Sequence, residues 1–328
     1  MDYQTLREAA RESLDKAPYN PKKLALIHVG ISLLVSLVLT VTNLLLARSF
    51  NASVGLGNLG HRAVLQTVQT VLSFANMLLT PMWTIGFFAV ALRTARWSNA
   101  EPRDLLDGFR HWGTVLRLCI LHICLILLLV FACSQIAATI FAITPLSREL
   151  TRVMEQAMQN GQDPMLMVDQ LPLSAMIPLF ILLGASIAVV GIPLFYRFRL
   201  SFFAVSEGVP SARKAMAQSA FLMRDNRKAM FRLDLHFWWY YGALLLISAL
   251  GMVDVLPESV TGLLPFSRNV LIYGAYGLYL VLHLLIQWRF SMEVRTTYAH
   301  CYDQLKAERL PPEPQADPSR NPWTQSDN

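Results

Sequence analysis

The chain has 328 residues, 54% of them hydrophobic and only 15% charged, with a mean hydropathy of +0.40. Soluble domains carry about 25% charged residues, so a water-soluble enzyme is excluded as a first reading. The formal charge of +6 suggests nucleic acid only until the cations are placed along the chain. Cys119, Cys124, Cys133 and Cys301 have neither the density of a disulfide framework nor the paired spacing of a structural zinc site.

The first segment, Asp2–Ala17, predicts an amphipathic helix with Leu6, Ala10, Leu14 and Ala17 on one face, lying at a membrane interface. Pro18 and Pro21 end it. Six apolar stretches then meet the length of about 20 residues that a bilayer core requires. They are Leu24–Ala47, Val64–Leu92, Val115–Ile143, Leu173–Tyr196, Leu235–Val253 and Val270–Ile286. The first is too long for a signal peptide and follows Asp2, Glu8, Glu12 and Asp15, so a retained helix is expected. The fold class is therefore all-α and polytopic, with six transmembrane helices.

The cations sort by connection. Of the 28 Lys and Arg, 23 lie in the N-terminal segment, the second and fourth connections and the tail; five lie in the other three connections. Basic connections stay in the cytoplasm, which puts both termini there. An even number of spans demands that the termini share a side, so count and charge agree.

The outer connection predicts a second amphipathic stretch over residues 147–160, packed on bundle or lipid, or serving as a gate. The connection between spans four and five is the most distinctive. Pro210 opens a helix there whose one face carries Ala212, Ala215, Met216, Ser219 and Met223. Arg213, Lys214, Arg224, Arg227, Lys228 and Arg232 form a cationic band that either binds anionic lipid headgroups or a protein partner, or does no more than fix orientation. Trp238, Trp239, Tyr240 and Tyr241 would anchor the next span at the interface, as Trp97 and Trp112 would in the earlier arm. The two arms hint at a repeated helix–arm–helix unit. Residues 310–328 hold five prolines and predict a disordered tail.

Ser219–Phe237, running SAFLMRDNRKAMFRLDLHF, resembles the arm of a bacterial membrane-protein family catalogued as domain of unknown function 975. Leu105–Phe109 (LLDGF) and Thr296–Tyr302 (TTYAHCY) are similar to two further elements of that family. Asp225 stands where the family has glycine, and His236 where it has serine. The resemblance implies a polytopic protein of the bacterial inner membrane without an assigned activity.

Chemistry is sparse. No Asp, Glu, Lys or Arg lies in the central part of any span, which counts against a carboxylate-coupled transporter. P-loop, G-x-S-x-G and H-E-x-x-H elements are absent, and no enzyme activity, cofactor or metal is expected. His28, His122 and His283 read as neutral histidines bonded within the bundle. Two functions remain. One is a non-enzymatic protein of membrane organisation, assembly or partner binding that works through its arms. The other is a permease, or a subunit of one, with a path between kinked spans two and four. Pro81, Gly191 and Pro193 mark those kinks, and Gln69, Asn76 and His122 would line the path.

Overall fold

A computed structural model describes residues 3–54, 59–143, 147–148, 151–152, 155, 173–250 and 268–310. Among these, all regular structure is helical. In chain order the elements are α1 (Tyr3–Lys16), α2 (Pro21–Val54), α3 (Leu59–Ala95), a 3-10 turn (Pro102–Leu106), α4 (Asp107–Arg110), α5 (Trp112–Ile143) and α6 (Leu173–Phe198). Then follow α7 (Ser201–Ser206), α8 (Ala212–Leu222), α9 (Arg227–His236), α10 (Trp238–Leu250) and α11 (Arg268–Arg309).

Five helices, α2, α3, α5, α6 and α11, are long and apolar enough to cross a membrane. The expected fifth span differs. Its first residue, Leu235, belongs to α9, the chain breaks at Phe237, and α10 contributes 13 described residues before residues 251–253, which lie outside them. The expected last span does not stop at Ile286 but continues unbroken to Arg309, so the TTYAHCY element rides on the same helix. Most of the 147–160 stretch and residues 311–328 lie outside the described residues, and with them the expected outer helix and tail.

The helices associate as a group of α2, α3 and α11, with α10 on α11 and with α5, itself paired to α6, on α3. Burial is uneven along them. The outer parts of α5 and α10 leave Leu127, Leu128, Leu245 and Leu246 more than 60% exposed. The closely packed core lies at one end, where α1, both arms and the last turns of α11 form a single helical layer. Leu6, Ala95, Leu200, Leu222, Met223, Leu233, Phe237 and Tyr302 belong to one cluster there. Burying each large side chain of that cluster contributes about 1.5–3 kcal/mol. This end is called the arm side below.

Helix α1 is docked into that layer. Leu6, Ala10 and Ser13 are buried, and the Arg7 and Arg11 Nε groups reach Glu293 Oε1 at 2.6 and 3.0 Å. The first arm lies on α3 by a different device. A Cβ at Gly86 would fall 1.8 Å from the Leu105 carbonyl oxygen, and one at Gly108 would fall 1.9 Å from that of Met82. Only glycine permits this approach of backbone to backbone. Arg93 locks the arm through ion pairs to Asp104 and, at 2.7 Å, Asp107. Helix α3 itself closes with Trp97 in the left-handed region (φ 56), its ring under Lys16 Nζ at 4.9 Å.

The second arm has three helices where the first has a 3-10 turn and the short α4, so the arms are not folded as copies. The predicted face of α8 is the buried one: Ala212, Ala215, Ser219 and Met223 are inside. Asp225 needs no glycine-like conformation, since the turn it occupies keeps negative φ, and its carboxylate pairs with Arg309 at 3.0 Å. Gly184 and Ala188, by contrast, are exposed on α6, with nothing within 4 Å of a Cβ placed at Gly184.

Candidate functional site

The arm layer is tied by carboxylates that meet tyrosines and arginines from distant parts of the chain. Asp234, on α9, accepts hydrogen bonds from the Tyr196 hydroxyl of α6, the Tyr298 hydroxyl of α11 and the guanidinium of Arg199, which stands at the α6–α7 elbow. Tyr298 and Tyr241 hydroxyls lie 3.1 Å apart, and the Arg199 guanidinium carbon sits 4.5 Å over the Tyr298 ring. One turn along α11, the Tyr302 hydroxyl donates to Glu207 Oε2 at 2.7 Å and accepts from Gln218 Nε2 at 2.9 Å. Glu207 Oε1 also receives Arg96 at 2.6 Å and Lys306 at 2.9 Å. Burial works to raise the Glu207 carboxyl, but its bonds from Lys306, Tyr302 and Arg96 outweigh it and hold the group below its usual value.

These contacts explain the motif residues. Tyr298 and Tyr302 are spaced i, i+4, so one face of α11 presents two hydroxyls to two acids of the second arm. Ser219 braces the α6–α7 elbow, accepting from the Leu200 N–H at 3.1 Å and donating to the Arg197 carbonyl at 3.0 Å. Asn226 Nδ2 caps the Leu222 carbonyl at 3.0 Å. His236 faces Arg7, its Nε2 3.4 Å from Nη1.

A cavity of about 440 Å³ opens beside the Asp234 cluster, between the α5–α6 pair and the α10–α11 pair. Its arm-side end carries Arg199, Arg295, Gln287, Tyr240, Tyr241 and Tyr298. Leu125, Leu129, Leu194 and Leu244 line the rest. His122 stands between the two regions; its Nδ1–H donates to the Leu118 carbonyl at 2.9 Å, and its ring stacks on Phe202.

Of the described side chains expected to line a polar path, only His122 lines this cavity. On α3 the lining begins at Thr84, eight residues and about 12 Å arm-ward of Asn76. Asn76 instead accepts a bond from the Thr80 hydroxyl. The side chain of Gln69 lies outside the described ones. His28 is stacked on Trp83 and Phe87. Among the described residues no cluster of His, Cys, Asp and Glu is arranged to hold a metal.

The cationic band separates in a way the sequence does not show. Arg213, Lys214, Arg224, Lys228 and Arg232 are exposed, whereas Arg227 is half-buried and its Nε has no hydrogen-bond partner among the described residues. Arg213 stands in the first turn of the 11-residue α8 and Arg224 two residues past its end, so the length of the helix, about 15 Å, separates them. The band is a strip, too long for one headgroup. On α9, Lys228, Phe231, Arg232 and Leu235 share the outward face, with Phe231 46% and Leu235 52% exposed and Trp238 following at 69%.

Sequence reasoning missed Arg199, Arg295 and Gln287. For Arg199 and Gln287 the signal is position: each stands just beyond an expected span, where it meets an interfacial tyrosine, Tyr241 and Tyr240 respectively; Arg295 lies nine residues past Ile286, on the part of α11 beyond the expected span. Gly55-Leu-Gly-Asn-Leu-Gly60 has the spacing of a dinucleotide-binding loop, but it follows a helix and not the strand that this fingerprint requires. No family model, curated protein or solved structure matches the chain.

Proposed function

We propose that the chain is a non-enzymatic protein of the bacterial cytoplasmic membrane that crosses it six times, with both termini and both arms in the cytoplasm. It works in membrane organisation by holding anionic headgroups along its second arm. The observation that carries this reading is the outward face of α9, where Lys228 and Arg232 alternate with exposed Phe231 and Leu235. Such a face puts its apolar side chains at the acyl boundary and its cations at the phosphates, each cation contributing about 1 kcal/mol on an anionic leaflet. The sixth crossing of this reading is the apolar stretch to which α10, Trp238–Leu250, belongs. The lopsided distribution of Lys and Arg supports the orientation, and the resemblance of the arm to the bacterial family supports the compartment.

The test is a spin label on the full chain at Phe231→Cys, with Cys119 and Cys124 replaced by Ser, in nanodiscs of phosphatidylcholine with and without phosphatidylglycerol. The label should sit at carbonyl depth, and deeper with phosphatidylglycerol. The added changes Lys228→Gln and Arg232→Gln should remove the lipid dependence. A label equally open to water in both compositions would sink the proposal. The cavity favours a second reading, a permease: its flux would depend on His122, and unchanged transport in His122→Ala would dismiss it.

A further inference from the structure

One charge at the cavity's polar end is not neutralised by the fold. Arg199 has Asp234. Arg295 is half-buried with its guanidinium carbon 4.5 Å over the Phe88 ring, and among the described residues it has neither a carboxylate partner nor a hydrogen bond. Beside it, Tyr240 donates to Gln287 Oε1 at 3.0 Å, and the Gln287 amide nitrogen has no acceptor among the described residues. Arg295 lies nine residues past Ile286 on the continuous α11, about 13 Å arm-ward of it. From that point the cavity runs toward the bilayer along Leu125, Leu129 and Leu244. A lone guanidinium over an aromatic ring, at the head of an apolar slot, is complementary to an anion that carries a hydrocarbon chain. The volume falls within the range of about 300–1,000 Å³ of ligand sites, and the low dielectric of the walls strengthens the ionic contact.

We propose that this cavity binds one acyl chain bearing an anionic head, the anion on Arg295 and the chain against Leu125, Leu129 and Leu244. The site is separate from the arm strip and does not depend on it.

Native mass spectrometry of the delipidated full chain tests this, with four probes: lysophosphatidylglycerol, palmitate, lysophosphatidylcholine and inorganic phosphate. One equivalent of lysophosphatidylglycerol or palmitate should be retained, and which of them is held more tightly identifies a phospholipid or a free fatty acid as the source. Arg295→Gln should weaken retention about tenfold or more. Leu129→Trp, which fills the apolar end and leaves the charge, should do the same. Gly184→Ala, on an exposed part of α6 outside both the cavity lining and the arm strip, should leave it unchanged. Equal retention of lysophosphatidylcholine, phosphate bound as tightly as the chain-bearing anions, or indifference to both cavity variants would overturn the proposal.

Discussion

Replacing Asp234 by Asn keeps the volume and removes the charge that Arg199, Tyr196 and Tyr298 converge on. The Asp234 and Arg199 side chains are each only 15% exposed, so water cannot substitute for the lost partner. Breaking a pair in such a setting costs about 3–5 kcal/mol. At about 1.4 kcal/mol per tenfold, the population of opened molecules should rise more than about 100-fold. Cys301 reports it directly, because its thiol is fully buried in the same core. The assay is the rate of maleimide labelling of Cys301 in nanodiscs, with Cys119 and Cys124 replaced by Ser. Under conditions where reclosing outpaces labelling, the rate follows the open population. Arg199→Leu alone should act similarly. The double variant Arg199→Leu/Asp234→Leu should label much more slowly than the two single effects combined would give, since it buries no unpaired charge. An increase below about fivefold for Asp234→Asn, or strict additivity in the double variant, would refute the view that this cluster holds the arm to α11.

Other expectations are more local. Gly108→Ala must move the Met82 carbonyl from 1.9 Å to beyond 3.0 Å; since that atom is backbone, the loss should reach the upper end of overpacking costs, about 3 kcal/mol. Gly184→Ala, with open space around it, should be tolerated, and equal thermal denaturation of the two variants would contradict the packing of the first arm. Glu207 is held below its ordinary value of 4.5, so its contribution is present above that pH and lost as pH falls through the lowered value. Wild type should therefore exceed Glu207→Gln by about 2 kcal/mol or more with a constant margin from pH 7 to pH 5, the gap closing only in stronger acid. A margin that shrinks already near pH 6 would mean that another group sets it.

The distribution of burial bears on how such a protein stands in a bilayer. Apolar side chains on α5 and α10, such as Leu127, Leu128, Leu245 and Leu246, are exposed, which suits contact with lipid tails. The arm layer carries the dense packing and nearly all the long-range ion pairs. Rigidity therefore resides in the arm layer, next to the cavity and to the outward face of α9. The residues of the Ser219–Phe237 stretch divide accordingly. Leu222, Met223, Leu233 and Phe237 are buried in the layer, while Phe231, Arg232 and Leu235 face out.

The sequence alone determined the helical class, the places of five long apolar helices, the inward face of α8 and the sorting of cations by connection. Each of these follows from a property summed over neighbouring residues, either transfer from water or the expense of moving charge through hydrocarbon. What only the tertiary structure decided is who meets whom. Arg7 finds Glu293 across 286 residues, and Tyr298 finds Asp234 across 64. These partners distinguish Arg199, neutralised by Asp234, from Arg295, which has no acid among the described residues, although both are simply cations beside a span when read along the chain. The cavity is likewise absent from any single helix, because it is the space left where the α5–α6 and α10–α11 pairs do not meet. Helix periodicity says which face is apolar, but the crossing of helices distant in sequence decides which polar groups come within bonding distance.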